Sequence, residues 1–279
     1  MTEALDDIGW VLWSGTVGLQ SPLDLRIEAA VAAGCTRLSL SPLEVTLAEE
    51  RGTTPQELGR RVRAAGLEIV LDGLMNWYAG EPLTTSRTAM FTADEVLRLC
   101  AAVRAVSLTV FARPTCEVPF DEVAESFRTL CDRAAVVGTN VMLEFMPMLA
   151  IKDLSTASAI VQTADRPNGG LLFDTWHFFR GNPDFAALDE LPGHRIFAVQ
   201  VADGGSEARG SLAEDTFHRR LPGDGCFDLP RVLRTLDRIG ALGWVGPEVI
   251  SPTTAAMPPT DAARTAVSRV RDLVSLVRT

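Results

Sequence analysis

Four apolar runs in the second half of the chain each end on an oxygen donor: Glu144 in VMLEFMP, Asp174 in LLFDTWH, Gln200 in FAVQVAD and Glu248 in GPEVIS. If these runs are neighbouring parallel strands, their ends converge, and three clustered carboxylates repel one another unless a cation sits among them. A strand-end acid taken alone is more often a helix cap or half of an ion pair. Recurrence at four successive strand ends points instead to a divalent metal centre. Ligation by oxygen alone favours a hard or borderline cation, Mn2+ first with Mg2+ or Co2+ as alternatives, over zinc, which takes nitrogen and sulfur.

The elements that must position these donors repeat at about 30 to 35 residues, the length of one strand plus one helix. Eight such units are legible, with strands in IGWVLWSG, TRLSLSP, LEIVLDGLM, LTVFAR, NVMLEFMP, GLLFDTWH, RIFAVQVAD and GWVGPEVIS. Helical patterns lie between them, with Ser21, Thr54 and Asp228 as caps, proline in the first turn and glycine at the end. Continuous apolar strands indicate a parallel sheet covered by helices. Eight strands each followed by a helix make a (β/α)8 TIM barrel, a single domain over residues 1–279.

In such a barrel the C-terminal strand ends face the site, which gathers Trp13, Met75, Trp77, Arg113, Glu144, Phe145, Asp174, Trp176, His177, Gln200, Asp203 and Glu248. Long connections after two strands, Tyr78 to Thr92 and Gly204 to Cys226, are candidate lids. His177, next to a proposed ligand, can polarise a substrate oxygen. An arginine of the HRRLPGDGCFD segment, Arg219 or Arg220, can hold a ketone, hydroxyl or carboxylate. Trp13, Trp77 and Trp176 offer aromatic surface to a substrate. His194, before the seventh strand, falls on the opposite rim and reads as structural.

Composition narrows the partners. With 26 basic against 36 acidic residues and a net charge of −10, the chain is a poor match for a polyanion. Lys152 is the only lysine, which leaves one candidate for Schiff-base chemistry. The five cysteines form no CxxC pair and read as reduced thiols, Cys100 and Cys131 inside helices and Cys226 near the surface. The acidic start MTEALDDIGW carries neither a signal peptide nor a membrane span, so a cytoplasmic protein is expected.

LEFMP, FDTWHFFRG, VQVAD, RRLPGDG and GPEVIS together resemble the sugar phosphate isomerase/epimerase superfamily. These are the xylose isomerase-like barrels that include ketose 3-epimerases, hydroxypyruvate isomerase, inosose isomerases and dehydratases, and endonuclease IV. The resemblance runs over essentially the whole chain. It implies one divalent ion on Glu144, Asp174, Gln200 and Glu248, an acid/base pair of Glu144 and Glu248, and substrate contacts from His177 and Arg219, with Arg220 adjacent. The third ligand is histidine in many members, so Gln200 is a departure.

The implied reaction begins with proton abstraction beside a carbonyl of a sugar, keto-sugar or cyclitol ketone and passes through an enediolate. Return of the proton to the opposite face epimerises the carbon, return to the neighbouring carbon isomerises, and loss of a β leaving group makes the enzyme a lyase. The aromatic mouth keeps a dehydratase or deglycosidase on a keto-cyclitol, keto-glycoside or less polar substrate as the alternative. A non-catalytic barrel serving another enzyme is the second. Three histidines and the acidic charge argue against DNA repair of the endonuclease IV type. A small carbonyl compound is thus the expected partner, with no nucleic acid or membrane, in a homodimer or homotetramer.

Overall fold

The structure, a computed structural model, describes residues 5–84, 87, 89–115 and 118–279; Cys116 and part of the Tyr78–Thr92 connection lie outside them. Eight parallel strands are hydrogen-bonded in chain order and close into a barrel through β1 and β8. They are β1 (Gly9–Leu12), β2 (Arg37–Leu40), β3 (Glu68–Leu74), β4 (Ala105–Phe111), β5 (Asn140–Glu144), β6 (Gly169–Asp174), β7 (Ile196–Val201) and β8 (Trp244–Pro247). Each falls within the run expected to hold it except β4 and β6, which begin earlier than LTVFAR and GLLFDTWH. The chain divides into two compact units, residues up to Leu38 with Phe173–Thr279, and Ser39–Leu172.

The second of these units carries α2 (Pro42–Glu50), α3 (Pro55–Ala64), α4 (Ala93–Val103), α5 (Phe120–Val136) and α6 (Leu154–Ala164), following α1 (Leu23–Ala32) of the first. Side-chain oxygens start most of them, since the first N–H groups of a helix have no partner within it. Ser41 with Glu44 and Thr92 with Glu95 form capping boxes, while Thr54 and Asp153 cap α3 and α6. The helix α2 was not expected between TRLSLSP and TPQELG. Arg104, in the left-handed region at φ 58, ends α4 so that Ala105 already opens β4, whereas the sequence reads helix through AVRAV.

β4 alternates Ser107, Thr109 and Phe111 on one face with Leu108 and Val110 on the other. Residues in register across a parallel ladder share a face. Thr109 pairs with Asp72 of β3 and Met142 of β5, Phe111 pairs with Glu144, and Glu144 pairs with Leu172, two residues before Asp174 on β6. The face opposite Glu144, with Leu71, Leu108, Val110 and Leu143, is fully buried and apolar.

The other unit adds α7 (Thr175–Arg180), α8 (Phe185–Glu190), α9 (Leu212–Asp215), α10 (Leu229–Arg238), α11 (Pro252–Ala255) and α12 (Pro259–Val277). Asp228 caps α10, as expected. Ser21 does not cap α1: Pro22 stands at that position, and the Ser21 hydroxyl donates to the Val17 carbonyl instead. Cys35, Cys100 and Cys131 are buried and Cys226 is exposed. No helix among the described residues is long and apolar enough to cross a membrane.

In this unit β8 approaches β1 where no side chain intervenes. A Cβ on Gly246 would stand 1.9 Å from the Val11 carbonyl oxygen, while one on Gly243 would meet nothing within 4 Å. Because the obstacle at Gly246 is backbone, relaxation must move a strand. Gly246→Ala is expected to destabilise by about 3 kcal/mol or more, and Gly243→Ala by less than about 1 kcal/mol, in urea denaturation. Equal midpoints would show that the strands can separate at no cost.

Candidate metal centre

Asp174 closes β6 and starts α7 with the same carboxylate. Its Oδ1 accepts the backbone N–H groups of Trp176 at 2.6 Å and His177 at 3.3 Å, which caps the helix. Its Oδ2 accepts from Arg219 Nη1 at 2.7 Å, and the same nitrogen donates to Glu248 Oε2 at 3.0 Å and to the Glu248 carbonyl at 3.1 Å. Asp174 and Arg219 are almost inaccessible at 0% and 3%. One buried guanidinium therefore answers two carboxylates, Asp174 fully buried and Glu248 mostly so, where an unpaired charge is costly.

Two threonines hold the strand ends that carry these acids. Thr175 Oγ1 donates to the Ala202 carbonyl and accepts from the Ala202 N–H at 2.8 and 2.9 Å, joining the ends of β6 and β7. Thr16 Oγ1 likewise donates to the Pro247 carbonyl at 2.7 Å and accepts from Val249 N at 3.1 Å, clasping the chain on either side of Glu248. Gln200 lies in register with Gly246. Its Oε1 is buried with no hydrogen-bond partner among the described residues. A buried acceptor left without a donor is rare and calls for an explanation, and a hard cation is one.

Arg219 reaches this place because its loop is pinned. The Asp203 carboxylate accepts from the N–H groups of Gly204, Phe227 and Gly223 at 2.8, 3.0 and 3.0 Å, and its backbone exchanges hydrogen bonds with Arg220. Arg180, one turn beyond His177 on α7, donates to Asp215 Oδ2 at 2.7 Å and to the Gly205 carbonyl at 3.0 Å. The Gly204–Cys226 connection, a candidate lid from sequence, is thus tied at several points and contains α9. Arg220 is exposed and bonds its own turn through the Asp224 carbonyl. Of the two arginines, Arg219 enters the site.

Trp176 backs this arrangement: it is fully buried, and the Arg219 guanidinium lies 5.1 Å from its ring centroid. Trp13 is likewise buried; neither indole N–H has a hydrogen-bond partner among the described residues. Trp77 lies elsewhere: its N–H is spent on the Phe111 carbonyl at 2.9 Å and its ring packs against Tyr78 and Phe127, so it faces α5. Arg113 is spent similarly, donating to the Tyr78 and Ala79 carbonyls with its guanidinium over the Tyr78 ring.

Glu144 ends β5 and is 3% exposed. Sequence reasoning missed Asp72, inside β3, whose carboxyl is pushed up to about 6 by burial, against the lowering pull of the Thr109 hydroxyl. The signal was present as an acid within an apolar run, followed by glycine.

Burial would raise the Asp174 carboxyl, but Arg219, His177 and the helix N–H groups together hold it below the usual carboxylate range. His177 moves the other way: burial pushes its ring down to about 4, with Asp174 opposing the shift and Arg219 adding to it. The ring is neutral near pH 7 and able to accept or donate one hydrogen bond. Since the folded value lies below the ordinary 6.5, the unfolded chain binds the extra proton first, and stability is lost as pH falls from 6.5 towards 4. Between about pH 7.5 and about pH 5 the wild type in chelator should lose about 2 kcal/mol more than His177→Gln in urea denaturation. Equal losses would mean that the ring is charged in the fold.

Residues 27–273 match the family described as Xylose isomerase-like TIM barrel. Among curated proteins the chain is 28% identical over 273 residues to a 3-dehydroshikimate dehydratase of Pseudomonas aeruginosa, covering 94% of this chain and 41% of that protein. It is 30% identical over 148 residues to the inosose isomerase of Bacillus subtilis, covering 52% of each. The chain thus spans about two fifths and about half of the length of these relatives. Among solved structures, the IolI protein with a binding zinc atom superposes with a TM-score of 0.84 at 21% identity, over 96% of this chain and 99% of that one. An L-ribulose 3-epimerase gives 0.70 at 16% identity, over 96% and 95%. With a closed eight-stranded parallel barrel and a match over nearly its whole length, the chain belongs to the xylose isomerase-like TIM barrel family.

Proposed function

We propose that this protein is a divalent-metal-dependent isomerase or epimerase acting on a sugar, keto-sugar or cyclitol ketone. The observation that carries the reading is the buried oxygen set of Asp174, Glu248 and Gln200, with one amide oxygen lacking a donor among the described residues. Glu144, Asp174, Gln200 and Glu248 would hold the ion. Mn2+ suits all-oxygen donors best, and Mg2+, Co2+ or the zinc seen with the IolI protein suit the same class of site. Such an ion supplies Lewis acidity that makes the carbon beside a substrate carbonyl acidic.

The remaining work falls to side chains. Glu144 and Glu248 act as the acid/base pair, one taking the proton from carbon and the other returning it. Arg219 donates to substrate oxygens from a fixed fork, held against Trp176. His177, neutral and buried, donates or accepts without adding charge. The inosose isomerase relative supports this reading. Loss of a β-hydroxyl after the same proton abstraction is the second reading, supported by the dehydratase relative, which aligns over more of this chain.

Metal analysis by mass spectrometry after reloading with Mn2+ or Zn2+ should give about one ion per chain in the wild type and none in Asp174→Ala. In heavy water the loaded wild type should exchange a proton of inosose for deuterium, and Glu144→Gln and Glu248→Gln should each slow this by about 10²–10⁴. Undiminished exchange in either variant would falsify the acid/base pair. A bound ion with no exchange on any ketone would leave a non-catalytic barrel.

A further inference from the structure

Asp72 lies outside every role assigned above, and three observations within the Ser39–Leu172 unit give it one. The first is its face. Asp72 pairs with Thr109, which pairs with Met142, while Phe111 pairs with Glu144 two residues further on. Asp72 therefore shares the face of Glu144, one layer deeper from the strand ends. The second is its exposure. Ile69, Val70 and Leu71 before it are fully buried, as are Thr109 and Met142 beside it, yet Asp72 itself is half-buried. The third is the backbone. Register shifts between Asp72 and Leu74, and Gly73 between them has φ +116, which L side chains rarely adopt. Such bulges recur beside active sites, where they re-aim a neighbouring side chain.

Asp72 makes no ion pair with a described residue, and Arg113, two residues beyond β4, is committed to the Tyr78 and Ala79 carbonyls. A carboxylate needed only for the fold would have a cation, as Asp215 does, or several N–H donors, as Asp203 does. Asp72 stands beside Thr109 and is only half-buried. An acceptor so placed suits the hydroxyl of a polyol. It is hostile to a second carboxylate.

We propose that Asp72 is a specificity residue: it accepts a hydrogen bond from a ring hydroxyl of a neutral polyhydroxy ketone and repels ketones that carry a carboxylate on that side. This rests on the isomerase reading and narrows it to uncharged substrates.

Titration calorimetry on metal-loaded protein, with inosose and 3-dehydroshikimate as probes, tests it. Relative to wild type, Asp72→Ala should bind inosose at least about tenfold more weakly and 3-dehydroshikimate at least about tenfold more tightly. Asp72→Asn keeps an acceptor oxygen and the side-chain shape while losing the charge. It should hold inosose within about threefold and still gain affinity for 3-dehydroshikimate. Metal content and melting temperature of each variant identify any loss of fold, and Asp72→Asn carries the test if the alanine variant does not fold. An unchanged ratio of the two affinities, or a wild type that binds neither compound, overturns the proposal. Deuterium exchange on wild type separates the two readings. Selective binding that depends on Asp72 without exchange sinks the isomerase and leaves the specificity residue, and exchange with unchanged selectivity does the reverse.

Discussion

The rest of the site depends on a single buried guanidinium that answers two acids. Bringing Asp174 and Glu248 together with no cation would cost several kcal/mol for each buried charge. Arg219 removes that cost only because its Nη1 reaches both, and a carboxylate pair so held demands accurate placement of three chain segments. The surrounding structure is the means of that placement. Thr175 and Thr16 fix the strand ends, Asp203 and Arg180 fix the loop that delivers Arg219, and Trp176 supplies the wall behind it. Each of these contacts is local and modest. Their joint effect is to leave the arginine one position to occupy.

The same economy explains why Asp174 stands at the end of a strand and at the cap of a helix. A carboxylate has two oxygens, and here they face different tasks: Oδ1 takes the orphan N–H groups of α7 and Oδ2 takes the arginine. Helix N-terminus and guanidinium both favour the ionised form, which offsets the burial that opposes it. His177 is carried on the first turn of that helix, so the cap also sets the imidazole 3.8 Å from Asp174 Oδ2.

Much of this was legible in the residues. The strand-end acids stand out because each follows a continuous apolar run, and α12 is legible because its apolar period is clean and prolines mark its start. What escaped has physical reasons too. TWHFFR looks like the tail of a strand, and only the capping habit of the aspartate before it marks the start of α7. Trp77 sits near a strand end, but the bulge at Gly73 precedes it and a face cannot be counted through a bulge. The same irregularity hid Asp72. The ties of the Gly204–Cys226 segment were not legible either, because glycine content reports freedom of the unfolded chain and is silent about the N–H groups that Asp203 collects.

Charge explains the choice of an amide at Gln200. In the unit that carries it, Asp174 and Glu248 contribute two negative charges, Arg219 one positive, and His177 none, since burial keeps the ring neutral. A glutamate at position 200 would add repulsion without a further cation to absorb it. A histidine would offer nitrogen, a softer donor. The glutamine contributes one neutral oxygen, and since that oxygen has no hydrogen-bond partner among the described residues, a cation there would displace no hydrogen bond with them. Asp174, Glu248 and Arg219 together thus hold a small net negative charge that the fold tolerates, of the sign that a cation would answer.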